Sequence, residues 1–275
     1  MTKPRYNYDL NRKPIRAEQL HRMPKWSSAR PVASIHASEV QVAHFATREP
    51  IVISGGLAEW KALSAWDSNS YLRKRAGNCR LTVTPFLLLD ALLMKIAGGA
   101  EPCASLEFDL DKYLCLLTTD YDPERILYAR NIPIPDGLSA DIAHLPFVLK
   151  PELSRSTFIG RRSYTDSHEH NGCDAFMCQI RGTKEVILHP PDRRHKRALY
   201  ANRYTRNWSP VRFFDVDEMA FPLFGRLNTP WRAVVRPGDA LYIPDPWWHS
   251  VVSLDDEVEI TVTYWFDLNR ESPLA

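Results

Sequence analysis

Residues 234–254 read VVRPGDALYIPDPWWHSVVSL. Two short runs, ALYI and HSVVS, are rich in β-branched and aromatic side chains. RPGD precedes the first and PDP separates the two, so the stretch predicts two strands with tight connections. The same texture extends outward. ILYAR (126–130), STFIGRRSYTDSHEH (156–170), AFMCQI (175–180), KEVILH (184–189), WRAVV (231–235) and EVEITVTYWF (257–266) are runs of like composition, punctuated by NG, RG and PPD. About eight strands without βαβ alternation argue against a doubly wound parallel sheet and predict an antiparallel sandwich or barrel.

The first half reads differently. PIVISGG (50–56) predicts a strand and turn, and LAEWKALSAW (57–66) carries Leu57, Trp60, Leu63 and Trp66 at helical spacing. NSYLRKRAG (69–77) predicts a second helix, RLTVT (80–84) a strand, and residues 87–117 mostly helix around a GGAEP turn (98–102). The most apolar stretch, PFLLLDALLMKIAGGA (85–100), is broken by Asp90 and Lys95 and is too short to span a bilayer. No membrane partner is expected.

A chain of 275 residues, 44% hydrophobic and 25% charged, has material for a folded core. The net charge of +2 is unevenly spread: residues 1–30 hold eight Lys/Arg against two Asp/Glu, which leaves 27 against 31 elsewhere. This predicts a basic arm over 1–30 and one domain over 31–275, whose body is no general polyanion binder. Tyr6, Tyr8 and Trp26 among the basic residues could meet a nucleic acid, but a solvated arm is the favoured expectation. Five cysteines in no regular framework, after an opening without an apolar signal core, predict a reducing cytoplasm.

The chemistry concentrates in SYTDSHEHNGCDAF (163–176). On a strand, a period of two puts Asp166, His168 and His170 on one face and Thr165, Ser167 and Glu169 on the other. Asn171-Gly172 predicts a hairpin that returns Asp174 beside the histidine face. His249 supplies a third imidazole from a remote strand. Such a set of N and O ligands suits a first-row divalent metal and leaves positions open for small molecules. His21, His36, His44, His144, His189 and His195 are read as surface or packing residues, and Trp247 and Trp248 as barrel packing.

From about Pro31 to Phe266 the chain resembles the JmjC-type cupins of the cupin-8 group, which includes the asparaginyl hydroxylase that modifies hypoxia-inducible factor. The resemblance rests on ordered pieces: EPIVISGGLAEWKALSAW, NSYLRKRAG, the histidine strand, AFMCQIRGTKEVILHPPD, AFPLF, VVRPGDALYIPDPWWHSVVSL and ITVTYWF. It implies a mainly β fold with α, a double-stranded β-helix or jelly roll with flanking N-terminal helices. It also implies an Fe(II)- and 2-oxoglutarate-dependent dioxygenase that uses O2 to hydroxylate a small metabolite, peptide or protein side chain. Some relatives dimerise through C-terminal helices, and the end at Ala275 soon after the last strand gives the expectation of a monomer or weak homodimer. His168 matches the family's first iron ligand and His249 its last. Thr165 and Lys184 match positions that hold the far carboxylate of 2-oxoglutarate, a task suited to a buried ammonium, and Tyr128 corresponds to a tyrosine that helps.

One departure stands out. The resemblance calls for His-x-Asp or His-x-Glu, and His170 occupies the second position here. Either His170 completes a neutral three-histidine set, or Asp174 or Glu169 supplies an oxygen ligand. A neutral set changes the charge at the metal, so two alternatives remain: a metal-dependent cupin enzyme acting without 2-oxoglutarate, and a non-catalytic binding module.

Overall fold

The computed structural model describes residues 29–84, 105–123, 127–148, 152–170, 172–199, 207–211, 216, 219, 221–227 and 230–267. Most of the basic arm, Cys103 and His21 fall outside them. The strands are β1 (Arg30–Pro31), β2 (Ala33–His36), β3 (Ile51–Ser54), β4 (Arg80–Val83), β5 (Leu106–Asp109), β6 (Tyr128–Ile132) and β7 (Ser154–Arg161). They continue as β8 (Tyr164–His168), β9 (Cys173–Arg181), β10 (Lys184–His189), β11 (Trp231–Val235), β12 (Ala240–Ile243), β13 (Trp248–Ser253) and β14 (Val258–Asp267). One sheet runs β1-β11-β10-β13-β8 and the other β2-β3-β12-β9-β14-β7-β6. Strands β7 to β14 thus fall into two antiparallel sheets of four, the jelly roll that the strand texture and the resemblance both predict. No helix among the described residues is long and apolar enough to cross a membrane.

Three expectations need correction. Helix in the LAEWKALSAW segment is limited to Ala62–Ala65, because the Leu57 amide donates to Gly238 O at 3.1 Å and ties the start of the segment to the RPGD turn. Leu57, Trp60 and Trp66 are nonetheless buried as their spacing implies. Within the predicted helical region 87–117, Leu106–Asp109 is a strand on β4, and helix covers only Leu110–Leu117; residues 85–104 lie outside the described set. The predicted hairpin between β8 and β9 does not form. β8 pairs with β13, while β9 pairs with β12 and β14, so the chain after His170 crosses from one sheet to the other through Gly172 at φ 88°.

The core lies largely on the outer side of the larger sheet. Fully buried Phe176 on β9 meets Phe45 edge-on at 5.6 Å, and its ring also lies 5.2 Å from both Tyr242 and Phe147. Trp247 and Trp248 pack in the core as expected. His189, at the end of β10, is completely buried, 5.4 Å from the His195 ring and 5.8 Å from Phe224.

Two measurements test this packing. Phe176→Ala removes the centre of the aromatic cluster and should lower unfolding stability by about 3–5 kcal/mol in denaturant titrations; a loss near zero would contradict the packing. Burial first, and then His195, push the His189 pKa down to about 3. The unfolded ring protonates near 6.5 and the folded one does not until about 3, so in that window the unfolded state binds more protons and stability is lost as the pH falls. At pH 5 this group should account for about 2 kcal/mol of lost stability. His189→Phe should show a shallower decline from pH 7 to 5; identical slopes would contradict the assignment.

Candidate metal centre

The two sheets enclose a cavity of about 430 Å³, and three imidazoles meet at it. His168 ends β8 directly opposite His249 on β13, so the antiparallel register places both side chains on one face, with ring centroids 4.2 Å apart. His170 lies two residues beyond the end of β8, its ring 4.6 Å from His249 and 4.5 Å from Trp265. One potential ligand atom from each histidine lies within 4.8 Å of the others.

The face assignment read from the sequence changes in one respect. His249 pairs with His168 but Val251 pairs with Thr165, so β8 contains one extra residue between the two pairs. This bulge puts Thr165 on the same cavity wall as His168 instead of the opposite face.

The ring hydrogen bonds fit the histidines for a metal. Nδ1 of His168 lies 2.9 Å from the main-chain oxygen of Asp166, and Nδ1 of His249 lies 3.1 Å from that of Trp247. A carbonyl oxygen only accepts, so both rings donate from Nδ1 and keep a lone pair on Nε2. Nδ1 of His170 is buried without a hydrogen-bond partner among the described residues. Burial, reinforced at His170 and His249 by the neighbouring imidazoles, pushes all three pKa values down, to about 4 at His168. All three are therefore neutral at pH 7, the form that binds metal.

On the same cavity wall, Lys184 at the start of β10 is 1% exposed. Its Nζ donates to Tyr128 OH at 3.1 Å and lies 3.7 Å from Glu259 Oε1. Burial opposes its charge, but Glu259 and Tyr128 outweigh it and Lys184 stays protonated. Glu259 is itself held by short hydrogen bonds from Ser163 and Ser253. Tyr128, Thr165 and Lys184, read separately from the sequence, thus line one cavity with the histidines.

Asp174 is not brought to the imidazoles. Cys173, Ala175 and Met177 line the cavity, and the alternation of β9 sends Asp174 to the opposite face. There Arg48 engages both carboxylate oxygens, and the Tyr242 hydroxyl and the Asp245 amide donate at 2.8 and 2.7 Å. Glu169 borders the cavity, but Oε1 faces Lys196 Nζ at 3.8 Å and the residue is absent from the converging set. Of the proposed ligands, the geometry gathers His168, His170 and His249. Sequence reasoning missed Trp208, whose ring stacks on His168 at 4.6 Å, and Arg130.

Residues 37–272 match the model of the cupin-like domain family. Among curated proteins, the chain is similar to the lysine-specific demethylase JMJ30 of Arabidopsis thaliana, 26% identical over 233 residues that cover 81% of this chain and 51% of that protein. It is similar to Jumonji C domain-containing protein 5 of Drosophila melanogaster, 22% identical over 83% of this chain and 57% of that protein. It is also similar to the bifunctional peptidase and (3S)-lysyl hydroxylase JMJD7 of Homo sapiens, 24% identical over 81% of this chain and 78% of that protein. The chain spans about half the length of the first two. A jelly roll with three imidazoles in its cavity, matched by the family model over most of its length, establishes that the chain belongs to the cupin-like domain family.

Proposed function

We propose that this protein is an Fe(II)- and 2-oxoglutarate-dependent oxygenase that hydroxylates a small molecule, a peptide or a protein side chain. The observation that carries this reading is the presence, in one cavity, of three neutral convergent imidazoles and a buried lysine flanked by Tyr128 and Thr165. Among the similar proteins, one is named a lysyl hydroxylase and another a lysine-specific demethylase. The cysteines at 79, 115, 173 and 178 form no disulfide among the described residues, which suits the reducing cytoplasm we propose as its compartment.

His168, His170 and His249 would hold the iron, which together with 2-oxoglutarate supplies the activation of O2 needed to oxidise a C–H bond. The main-chain carbonyls of Asp166 and Trp247 fix the tautomers of two of these rings, with Nε2 left for the metal. Lys184, with the Tyr128 hydroxyl, would receive the distal carboxylate of the cosubstrate, and Thr165 would add a hydroxyl donor. Trp208 and Trp265 cover the imidazoles with apolar surface and limit the entry of water.

His170 in place of a carboxylate favours a second reading, a metal-dependent cupin that acts on its substrate without 2-oxoglutarate. Succinate separates the two: after anaerobic loading with Fe(II), addition of 2-oxoglutarate and O2 should release it under the first reading and not under the second. His168→Ala and His249→Ala should each lower metal affinity by at least about 100-fold in equilibrium dialysis; unchanged metal content in both variants would end both enzyme readings.

Lys184→Met should raise the KM for 2-oxoglutarate by about tenfold or more and, by leaving Glu259 buried without its cation, reduce stability by about 3 kcal/mol. Lys184→Met combined with Glu259→Gln should recover most of the stability and none of the cosubstrate affinity. Recovery of both would show that Lys184 serves packing alone.

A further inference from the structure

Arg130 lines the cavity and has no part in the function proposed above. β6 and β7 pair at Ala129 with Ile159 and next at Ile132 with Thr157, so β6 carries one extra residue, and Asn131 takes the left-handed φ of 52°. This bulge turns Arg130 and Asn131 together onto the cavity, and bulges of this kind re-aim side chains beside functional sites.

The guanidinium makes no hydrogen bond or salt bridge with another described residue; the Tyr128 ring lies 5.8 Å away, and the Asp166 carboxylate attracts it without a direct contact. Burial pulls its pKa below the ordinary value, and the pull of Asp166 and Tyr128 does not offset this. Arg130 and His168 line the same cavity. Lys184, by contrast, already has Glu259 and Tyr128. A neutral ligand set brings no negative charge to balance a divalent ion, so a guanidinium in the same cavity with no carboxylate hydrogen-bonded to it among the described residues can take one from the ligand.

We infer that the substrate carries a carboxylate on an apolar body, and that Arg130, with the Asn131 amide beside it, receives this carboxylate. A planar guanidinium pairs with a carboxylate through two parallel hydrogen bonds. Phe158, Trp208 and Trp265 on the cavity wall would cover the apolar remainder. A single guanidinium, already attracted by Asp166, suits a monoanion better than a phosphate dianion. The inference rests on the oxygenase reading, because it assigns Lys184 to the cosubstrate and leaves Arg130 for the substrate.

Calorimetric titration of Mn(II)-loaded protein saturated with N-oxalylglycine, an inert analogue of 2-oxoglutarate, tests it. The probes are N-acetylphenylalanine and N-acetylleucine, each against its primary amide. The acids should bind about tenfold or more tightly than the amides, Arg130→Gln should abolish the difference, and Arg130→Lys should keep part of it. Equal binding of acid and amide to the unsubstituted protein, binding of neither, or discrimination that survives Arg130→Gln would overturn the inference. So would loss of N-oxalylglycine affinity in Arg130→Gln with acid preference intact, which would assign Arg130 to the cosubstrate. If N-oxalylglycine fails to bind the unsubstituted metal-loaded protein, the oxygenase reading and the inference fall together, a result distinct from the loss of acid preference alone.

Discussion

The antiparallel register of β8 on β13 is the constraint on which the site depends. It sets His168 opposite His249 although 81 positions separate them in the chain, and backbone pairing with two ring-to-carbonyl hydrogen bonds fixes the imidazoles. His170 joins because the chain leaves β8 just past His168 and crosses toward the facing sheet, where Trp265 packs against its ring. A binding site positioned by a strand ladder loses little conformational entropy when it takes up its ligand.

Charge is the second organising feature. The cavity holds a buried Lys184 stabilised by Glu259, and Glu259 is in turn held by Ser163 and Ser253. This chain of partners keeps an ammonium in a place where burial alone would disfavour it. Asp174 forms a separate structural knot with Arg48, Tyr242 and the Asp245 amide on the outer face of β9. The two carboxylates lie on different elements and serve different ends, which their residue type alone would not reveal.

The jelly roll was legible because its strands are short and aromatic, with clear turn residues between them. The gathering of His168 and His249 also followed from the motif order, and Tyr128 and Lys184 meet as the resemblance implied. The details that escaped are those a period of two cannot carry. A bulge in β8 moved Thr165 across the sheet, and a second in β6 aimed Arg130 at the cavity. Asn171-Gly172 reads locally as a hairpin, yet β9 finds better partners in β12 and β14. Trp208 reaches His168 from a distant loop through an isolated bridge, a contact with no local signature.

The central claim is that three imidazoles, and no carboxylate of the chain, bind one metal ion. X-ray absorption on the anaerobic Fe(II)-loaded protein tests it most directly, read beside a crystal structure of the same complex. The account predicts three imidazole nitrogens at roughly 2.0–2.2 Å, drawn from His168, His170 and His249. An oxygen ligand from Asp174 or Glu169, or a sphere that lacks any of the three rings, would contradict it.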